Sequence, residues 1–308
     1  MVRGLGAVLA TAIVAFGVGA APASARSVDF DNGWRFALVN PNGITDPTGA
    51  FADAPDPAYD DSSWRSRDLP HDWSIELDPT DAPGSATNSG TGFLQGGLGW
   101  YRKTFTLPRA LAGKRISVEF DGIYMDSRVY FNGRLVGSHP YGYTGFAVDL
   151  TDDAHTDGAT PNVLAVEVRN QLPSSRWYSG SGIYRHVHLV VTDPVHVARH
   201  GIFVTTPDVE RTVDSGFADV HVQAKIAGDG AAVTVIHKVV DARGHTVAVD
   251  RSDGDASCAC GTRTCGPPRI PTSTRCAPPS RSASASSTPP ARVSASAGSG
   301  STPTRGCP

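Results

Sequence analysis

No cysteine occurs before Cys258, and all five in the chain, Cys258, Cys260, Cys265, Cys276 and Cys307, fall within residues 257–308. The body must therefore be held by hydrophobic packing, and an odd number of cysteines crowded into one end does not make a disulfide framework. They do not make a zinc site either, because zinc favours a closely spaced cysteine pair matched by a second pair or by two histidines at a set distance. Cys258-Ala259-Cys260, followed by widening gaps, offers no such match. His186 and His188, with His196 or His200, have no cysteine or carboxylate beside them at metal spacing, so a solvated strand face is expected there. Neither a metal nor a cofactor is expected.

Basic patches are also missing. The net charge is −3 with no run of Lys and Arg in the body, which excludes a nucleic-acid partner that would need clustered cations against phosphates. Long apolar runs are confined to one place, Leu5 to about Ala21, and that run is glycine-laced and shorter than the ~20 apolar residues a membrane span needs. Arg3 precedes it and Ala23-Ser24-Ala25 follows it, the layout of a secretory leader with a small-residue cleavage site. Residues 1–25 are expected to be a removed signal peptide, which predicts a secreted, extracellular protein with no membrane association after cleavage.

From Val28 to about Thr192 short alternating runs are broken by Gly, Pro, Asn and Asp, the signal of a β-sandwich. Ile116, Val118 and Phe120 point one way while Ser117 and Glu119 point the other. Leu164, Val166 and Val168 form a second stripe, and Ile183, Arg185, Val187, Leu189 and Val191 a third. Asn132-Gly133 between two such runs predicts a two-residue hairpin turn. Trp34, Trp64 and Trp100 alternate with polar neighbours and are expected in the core.

Strand signals resume over Val195 to Val204, Ala218 to Ile226, Val233 to Val240 and, more weakly, Val247 to Val249. An immunoglobulin-like sandwich needs about 7 strands over ~100 residues, so this second domain is expected to be incomplete. From Ser257 onward the chain has six Arg but no Lys, Asp, Glu or aromatic residue, and such a composition cannot bury a core. Removing those six arginines leaves 21 basic against 30 acidic residues, so the folded part carries about −9 and the tail is cationic. The organisation expected is a signal peptide over 1–25, a sandwich over 26–193, a partial second sandwich over 194–256 and a disordered tail over 257–308.

Five stretches resemble the N-terminal sugar-binding domain of glycoside hydrolase family 2, the β-galactosidase type. They are Asp60-Asp61-Ser62-Ser63-Trp64, Leu69-Pro70-His71-Asp72-Trp73, Gly99-Trp100-Tyr101-Arg102-Lys103-Thr104-Phe105, Tyr130-Phe131-Asn132-Gly133 and Arg176-Trp177-Tyr178-Ser179-Gly180-Ser181-Gly182-Ile183-Tyr184-Arg185, in family order. The resemblance implies an all-β chain: a jelly-roll, galactose-binding-like sandwich followed by an immunoglobulin-like one. In the family a barrel bearing two catalytic glutamates follows, and a barrel needs ~250 residues that are not present after the second sandwich begins.

Glycoside hydrolysis normally takes a proton-donating carboxylic acid and a second carboxyl group. The four glutamates, Glu76, Glu119, Glu167 and Glu210, lack the family's Asn-Glu pair, and Glu119 and Glu167 are expected on solvated strand faces. No catalytic residue is expected. The resemblance implies that Arg176, standing where relatives have an aspartate, lines the substrate pocket, with a loop salt bridge as its alternative role. Trp177 and Tyr178 are the aromatic candidates beside it, since their rings can cover the C–H face of a pyranose, but packing between the sandwiches and a neighbouring domain is the favoured role for Trp177. His71 and Asp72 are expected behind that segment, as supports or turn formers.

Back-translated with GC-rich codons and read two bases later, Ser257 to Ala277 gives a string resembling the family's missing second-domain end, including Leu-Tyr-Thr-Leu. A frame shift between about Val249 and Ser257 is therefore expected. The expected role is a non-catalytic fragment of a secreted hydrolase that binds a β-galactoside-like carbohydrate and self-associates through exposed strand edges. A stand-alone secreted carbohydrate-binding module is the alternative, and a face for docking another protein a third possibility.

Overall fold

The computed structural model describes residues 9–15, 25–83, 85–173, 180–207, 209–212, 218–228, 232–255 and 259–266. The chain divides into two compact units, Ala25–Thr192 and a second one formed by Met1–Ser24 with Asp193–Pro308. Strand β1 (Leu9–Ala15) belongs to the second unit.

The first unit is an antiparallel sandwich. Its strands are β2 (Ala25–Asp29), β3 (Trp34–Asn40), β4 (Arg65–Arg67), β5 (Gly97–Phe105), β6 (Arg115–Phe120), β7 (Ser127–Phe131), β8 (Arg134–His139), β9 (Phe146–Asp149), β10 (Asn162–Asn170) and β11 (Val187–Thr192). One sheet has the order β4-β3-β5-β10-β7-β8 and the other β2-β11-β6-β9. The alternation seen in the sequence decides which residues line the space between them: Ile116, Val118 and Phe120, Val129 and Phe131, Leu164, Val166 and Val168, and Val187, Leu189 and Val191 are all buried there. Trp34, Phe36, Trp73 and Tyr101 complete that core. Asn132 (φ 48°) and Gly133 (φ 86°) turn β7 into β8, and two successive positive φ values suit the right-handed twist of a tight hairpin.

The six-stranded sheet is buried on its other face as well, which alternation alone did not announce. Ala54, Trp64, Trp100 and Ala165 form a separate cluster there under the loop between β3 and β4, with Phe51 and Tyr59 against it. Arg102 is only 1% exposed and ties this loop down: it donates to Asp61 (2.8 Å), to the carbonyls of Asp56 (3.1 Å) and Tyr59 (3.4 Å), and to that of Ala54. On the same face, Glu167 departs from its expected solvated position. Its side chain is 13% exposed, opposite Trp100 and Arg128, and burial pushes its carboxyl up against the pull of Arg128 at 3.5 Å.

The stripe expected from Ile183 becomes a strand only at Val187, because positive φ at Gly180 (77°) and Gly182 (123°) turns the chain just before it. Ile183 stays buried in the core while Arg185 faces solvent.

The second unit holds two three-stranded sheets. Strands β12 (His196–Thr205), β13 (Ala218–Ala227) and β16 (Ala259–Gly266) form one, and β1, β14 (Ala232–Val240) and β15 (Thr246–Asp255) the other, with a short helix α1 (Val209–Thr212) between β12 and β13. Val195, Ala224, Ile226, Val233 and Val235 are its core. Two strands fall where sequence composition suggested none would be. β16 pairs with β13 from Ala218↔Gly266 to Lys225↔Ala259, inside the segment expected to form a coreless tail, and a backbone ladder does not need large side chains. β1 pairs with β14 from Leu9↔Val240 to Ala15↔Thr234, inside the segment read as a leader. Residues 267–308 lie outside the described residues.

His237 interrupts the apolar face of β14, buried in line with Val233, Val235 and Val239, and neither ring nitrogen has a hydrogen-bond partner among the described residues. Burial pushes its pKa below the ordinary 6.5, with Asp250 pulling the other way. A histidine kept neutral by burial stabilises the fold fully only above its unfolded pKa. Stability of this unit is therefore expected to fall as pH drops below 6.5 toward the lower folded value, and His237→Leu should flatten that dependence in urea unfolding followed from pH 8 to pH 5. Arg102→Ala, which strands the Asp61 carboxylate and three carbonyls, should lower the unfolding free energy of the first unit by about 3 kcal/mol in the same assay.

Candidate functional site

Arg176, Trp177 and Tyr178 lie outside the described residues, in the stretch 174–179, but the backbone that closes this stretch is described and is held by a dense set of contacts. His71 N–H donates to the Ile183 carbonyl (2.8 Å) and Trp73 N–H to that of Ser181 (3.0 Å), so residues 71–73 run alongside 181–183. Between them Asp72 does two jobs with one oxygen. Oδ1 accepts from Ser74 N–H (3.0 Å), capping the 3-10 helix Trp73–Glu76, and from Ser181 N–H (2.8 Å). Asn170, the last residue of β10, holds the same point from the other side: its Nδ2 donates to the Gly180 carbonyl (3.1 Å) and to Ser181 Oγ (2.7 Å). Ser181 Oγ also shares a 2.6 Å hydrogen bond with Ser74 Oγ, which donates to the Gln95 carbonyl.

Gly182 explains the glycine spacing of the motif. At φ 123° a Cβ there would stand 2.3 Å from Tyr101 Oη and 2.8 Å from the His71 carbonyl, so no other residue fits without displacing the core. Gly182 N–H and C=O also pair with Tyr124 in an isolated bridge (2.8 and 2.9 Å).

His71 is buried and has both nitrogens engaged, Nδ1 with Tyr101 Oη at 2.7 Å and Nε2 with Glu76 at 3.2 Å, while its ring meets Phe36 edge-on at 4.6 Å. Burial lowers its pKa, with Glu76 opposing, and the imidazole is neutral at pH 7. Burial alone would raise the Glu76 carboxyl. Hydrogen bonds and charge from Arg67, His71 and Arg65 outweigh that and hold it below the usual carboxylate range. Tyr101 is pushed well above the ordinary phenol value by burial. Groups so occupied position a segment rather than move protons.

The structure thus brings His71 and Asp72 directly under the backbone that closes the Arg176–Tyr178 stretch. It adds Asn170, Ser74, Ser181 and Tyr101, which sequence reasoning did not single out. One signal was available: Asn170 continues the buried register of Leu164, Val166 and Val168 two residues on, where a polar residue needs partners. Glu76 is spoken for by two arginines, Glu167 faces Arg128, and Glu210 lies exposed on α1. His186, on the segment leading into β11, meets Asp31 at 2.6 Å, and His188 lies 3.6 Å from Asp121, carboxylates that local spacing could not reveal. Among the described residues no three His, Cys, Asp or Glu side chains gather as metal ligands would.

Asp72→Ala should cost about 1–2 kcal/mol, since it removes a cap and a buried tether together, and should speed amide exchange at Ser74 and Ser181 ahead of the rest of the sandwich. Unchanged exchange at Ser181 would contradict the tether. Gly182→Ala should be more severe, about 3 kcal/mol, measured by thermal unfolding.

Comparison with known proteins agrees with this architecture. A family model described as "Glycosyl hydrolases family 2, sugar binding domain" matches residues 29–194. A protein named Beta-galactosidase BoGH2A from Bacteroides ovatus is 45% identical over 230 residues, covering 74% of this chain and 25% of the relative. A putative beta-glucuronidase from Formosa agariphila is 36% identical over 224 residues, covering 71% of this chain and 20% of the relative. A solved glycosyl hydrolase family 2 member from Bacteroides cellulosilyticus superposes with a TM-score of 0.67 at 36% identity, over 80% of this chain and 31% of that one. The chain thus spans about a quarter of the length of the curated relatives it matches. With the family's sugar-binding domain matched over most of the first sandwich, and with relatives this similar, the chain belongs to glycoside hydrolase family 2.

Proposed function

We propose that this chain is the non-catalytic, sugar-binding N-terminal portion of a secreted β-galactosidase-like glycosidase, contacting a β-galactoside through Arg176, Trp177 and Tyr178. The observation that carries the reading is the double clamp of Asp72 and Asn170 on Gly180 and Ser181, which fixes the backbone closing that segment. A segment tethered at its end has less freedom to lose on binding than an untethered one, which favours binding by a small polar ligand. The chemistry suits a sugar: aromatic rings cover the C–H face of a pyranose and a guanidinium donates a pair of hydrogen bonds to adjacent hydroxyls. A non-catalytic role is supported by the occupation of Glu76 and Glu167 in ion pairs with arginines, since hydrolysis needs two carboxyl groups flanking one bond. Secretion is supported by the leader-like layout of residues 1–25.

Calorimetric titration of the full chain with methyl β-galactoside tests the binding. A Kd of about 1 mM is expected, at least about fivefold weaker in Arg176→Ala, with no release of aryl alcohol from an aryl β-galactoside. Tighter binding of a β-glucuronide would change the assigned sugar. Turnover that disappears when one of Glu76, Glu119, Glu167 or Glu210 is changed to Gln would overturn the non-catalytic role.

A further inference from the structure

We propose that Tyr141 and Tyr143 form a second carbohydrate surface, a stacking platform for successive pyranose units of a β-linked glycan chain. Both lie in the segment Pro140–Gly145 that joins β8 to β9, and their side chains are unusually open for aromatic residues, Tyr141 at 52% and Tyr143 at 43% exposed. Their rings meet at 5.6 Å with an interplanar angle of 62°, so two faces are offered at an angle rather than one flat patch.

The platform is held from beneath. Tyr124 is buried and packs edge-on against Tyr143 at 5.3 Å, and Gly142 sits so close to the Tyr124 ring that a Cβ there would approach it to 2.2 Å. Tyr184 Oη donates to the Gly142 carbonyl at 2.8 Å, and His139 Nε2 pairs with Thr144 Oγ1 at 3.0 Å. Exposed aromatic rings fixed by buried ones lose little freedom on binding, which is what a weak-contact ligand requires.

The surroundings suit a sugar. Pro140-Tyr141-Gly142-Tyr143-Thr144-Gly145 carries no charged side chain and no Val, Leu, Ile or Met, so what it presents is aromatic and hydroxyl in character, matching a neutral, hydroxyl-rich ligand. Tyrosine combines an apolar face with a polar edge, as a pyranose does. The platform shares its support with the described end of the first site: Tyr124 pairs with Gly182, and Tyr184 follows two residues later, so both rest on the backbone 180–184. The inference rests on the sugar-binding reading for its ligand class, not for its geometry.

Titration of the full chain with methyl β-galactoside and with a β-linked galactotriose separates the two surfaces. The triose is expected to bind about fivefold tighter than the monosaccharide. Tyr141→Ala with Tyr143→Ala should abolish that advantage, leave monosaccharide binding and thermal midpoint unchanged, and be rescued by Phe at both positions. Arg176→Ala should weaken both ligands by the same factor. A triose that binds no better than the monosaccharide, or an advantage that survives the double alanine variant, overturns the platform. If the monosaccharide does not bind at all, the reading of Arg176–Tyr178 fails, and the platform stands only if the triose still binds in a tyrosine-dependent way.

Discussion

Gly182 occupies a tight point of the first sandwich, wedged between the Tyr101 hydroxyl and the His71 carbonyl with its own N–H and C=O given to Tyr124. Much of the surrounding arrangement follows from this close approach. Because the backbone can enter the core there, Ser181 and Ile183 can accept from Trp73 and His71, and the 71–73 segment lies flat against 181–183. Because it does so at positive φ, the chain leaves the core just beyond and enters β11 only at Val187. Asp72 and Asn170 then take up polar groups that this entry buries, Asp72 the Ser181 N–H and Asn170 the Gly180 carbonyl and the Ser181 hydroxyl.

The same logic of buried polar groups recurs on the outer face of the six-stranded sheet. Arg102 reaches through the loop above it to Asp61 and three carbonyls, and that loop then covers Trp64 and Trp100. A central strand such as β10 is thereby buried on both faces over its first half, and its Glu167 pairs at the margin of that cover with Arg128 of β7. Among the described residues both units keep buried side-chain polar atoms without a hydrogen-bond partner, Arg169 Nε and Asn170 Oδ1 in the first and atoms of His237 and Ser252 in the second. In the second unit Ile202, Phe203 and Val204 also stand exposed in succession on the edge strand β12. An exposed apolar edge of that kind invites further pairing or coverage.

Sequence alone was enough for the architecture wherever a single periodicity governed a strand. The stripes at 116–120 and 164–168, the Asn132-Gly133 hairpin and the buried placement of Trp34, Trp64 and Trp100 all depend on alternation or on local φ preference, which neighbours along the chain determine. The resemblance carried by five short motifs was legible for the same reason, since each motif is contiguous. Legibility ended where a residue's environment comes from elsewhere in the chain. Glu167 alternates like a solvent-facing residue, yet Trp100 and Arg128 from neighbouring strands bury it. β16 has too little side-chain volume to signal a strand, and what reveals it is the backbone register with β13.

The sequence by itself determined that the first unit is a β-sandwich, because hydrophobic period and turn chemistry are local properties of the chain, and its five contiguous motifs carried the resemblance to the family's sugar-binding domain. Only the tertiary structure decided what stands beside the candidate site. It brought Asp72 to Ser181 across 109 residues and His186 to Asp31 across 155, and gathered Tyr124, Tyr141, Tyr143 and Tyr184 into one cluster. Hydrogen bonds and ring contacts depend on distances of a few ångströms between points that no spacing in a linear chain encodes.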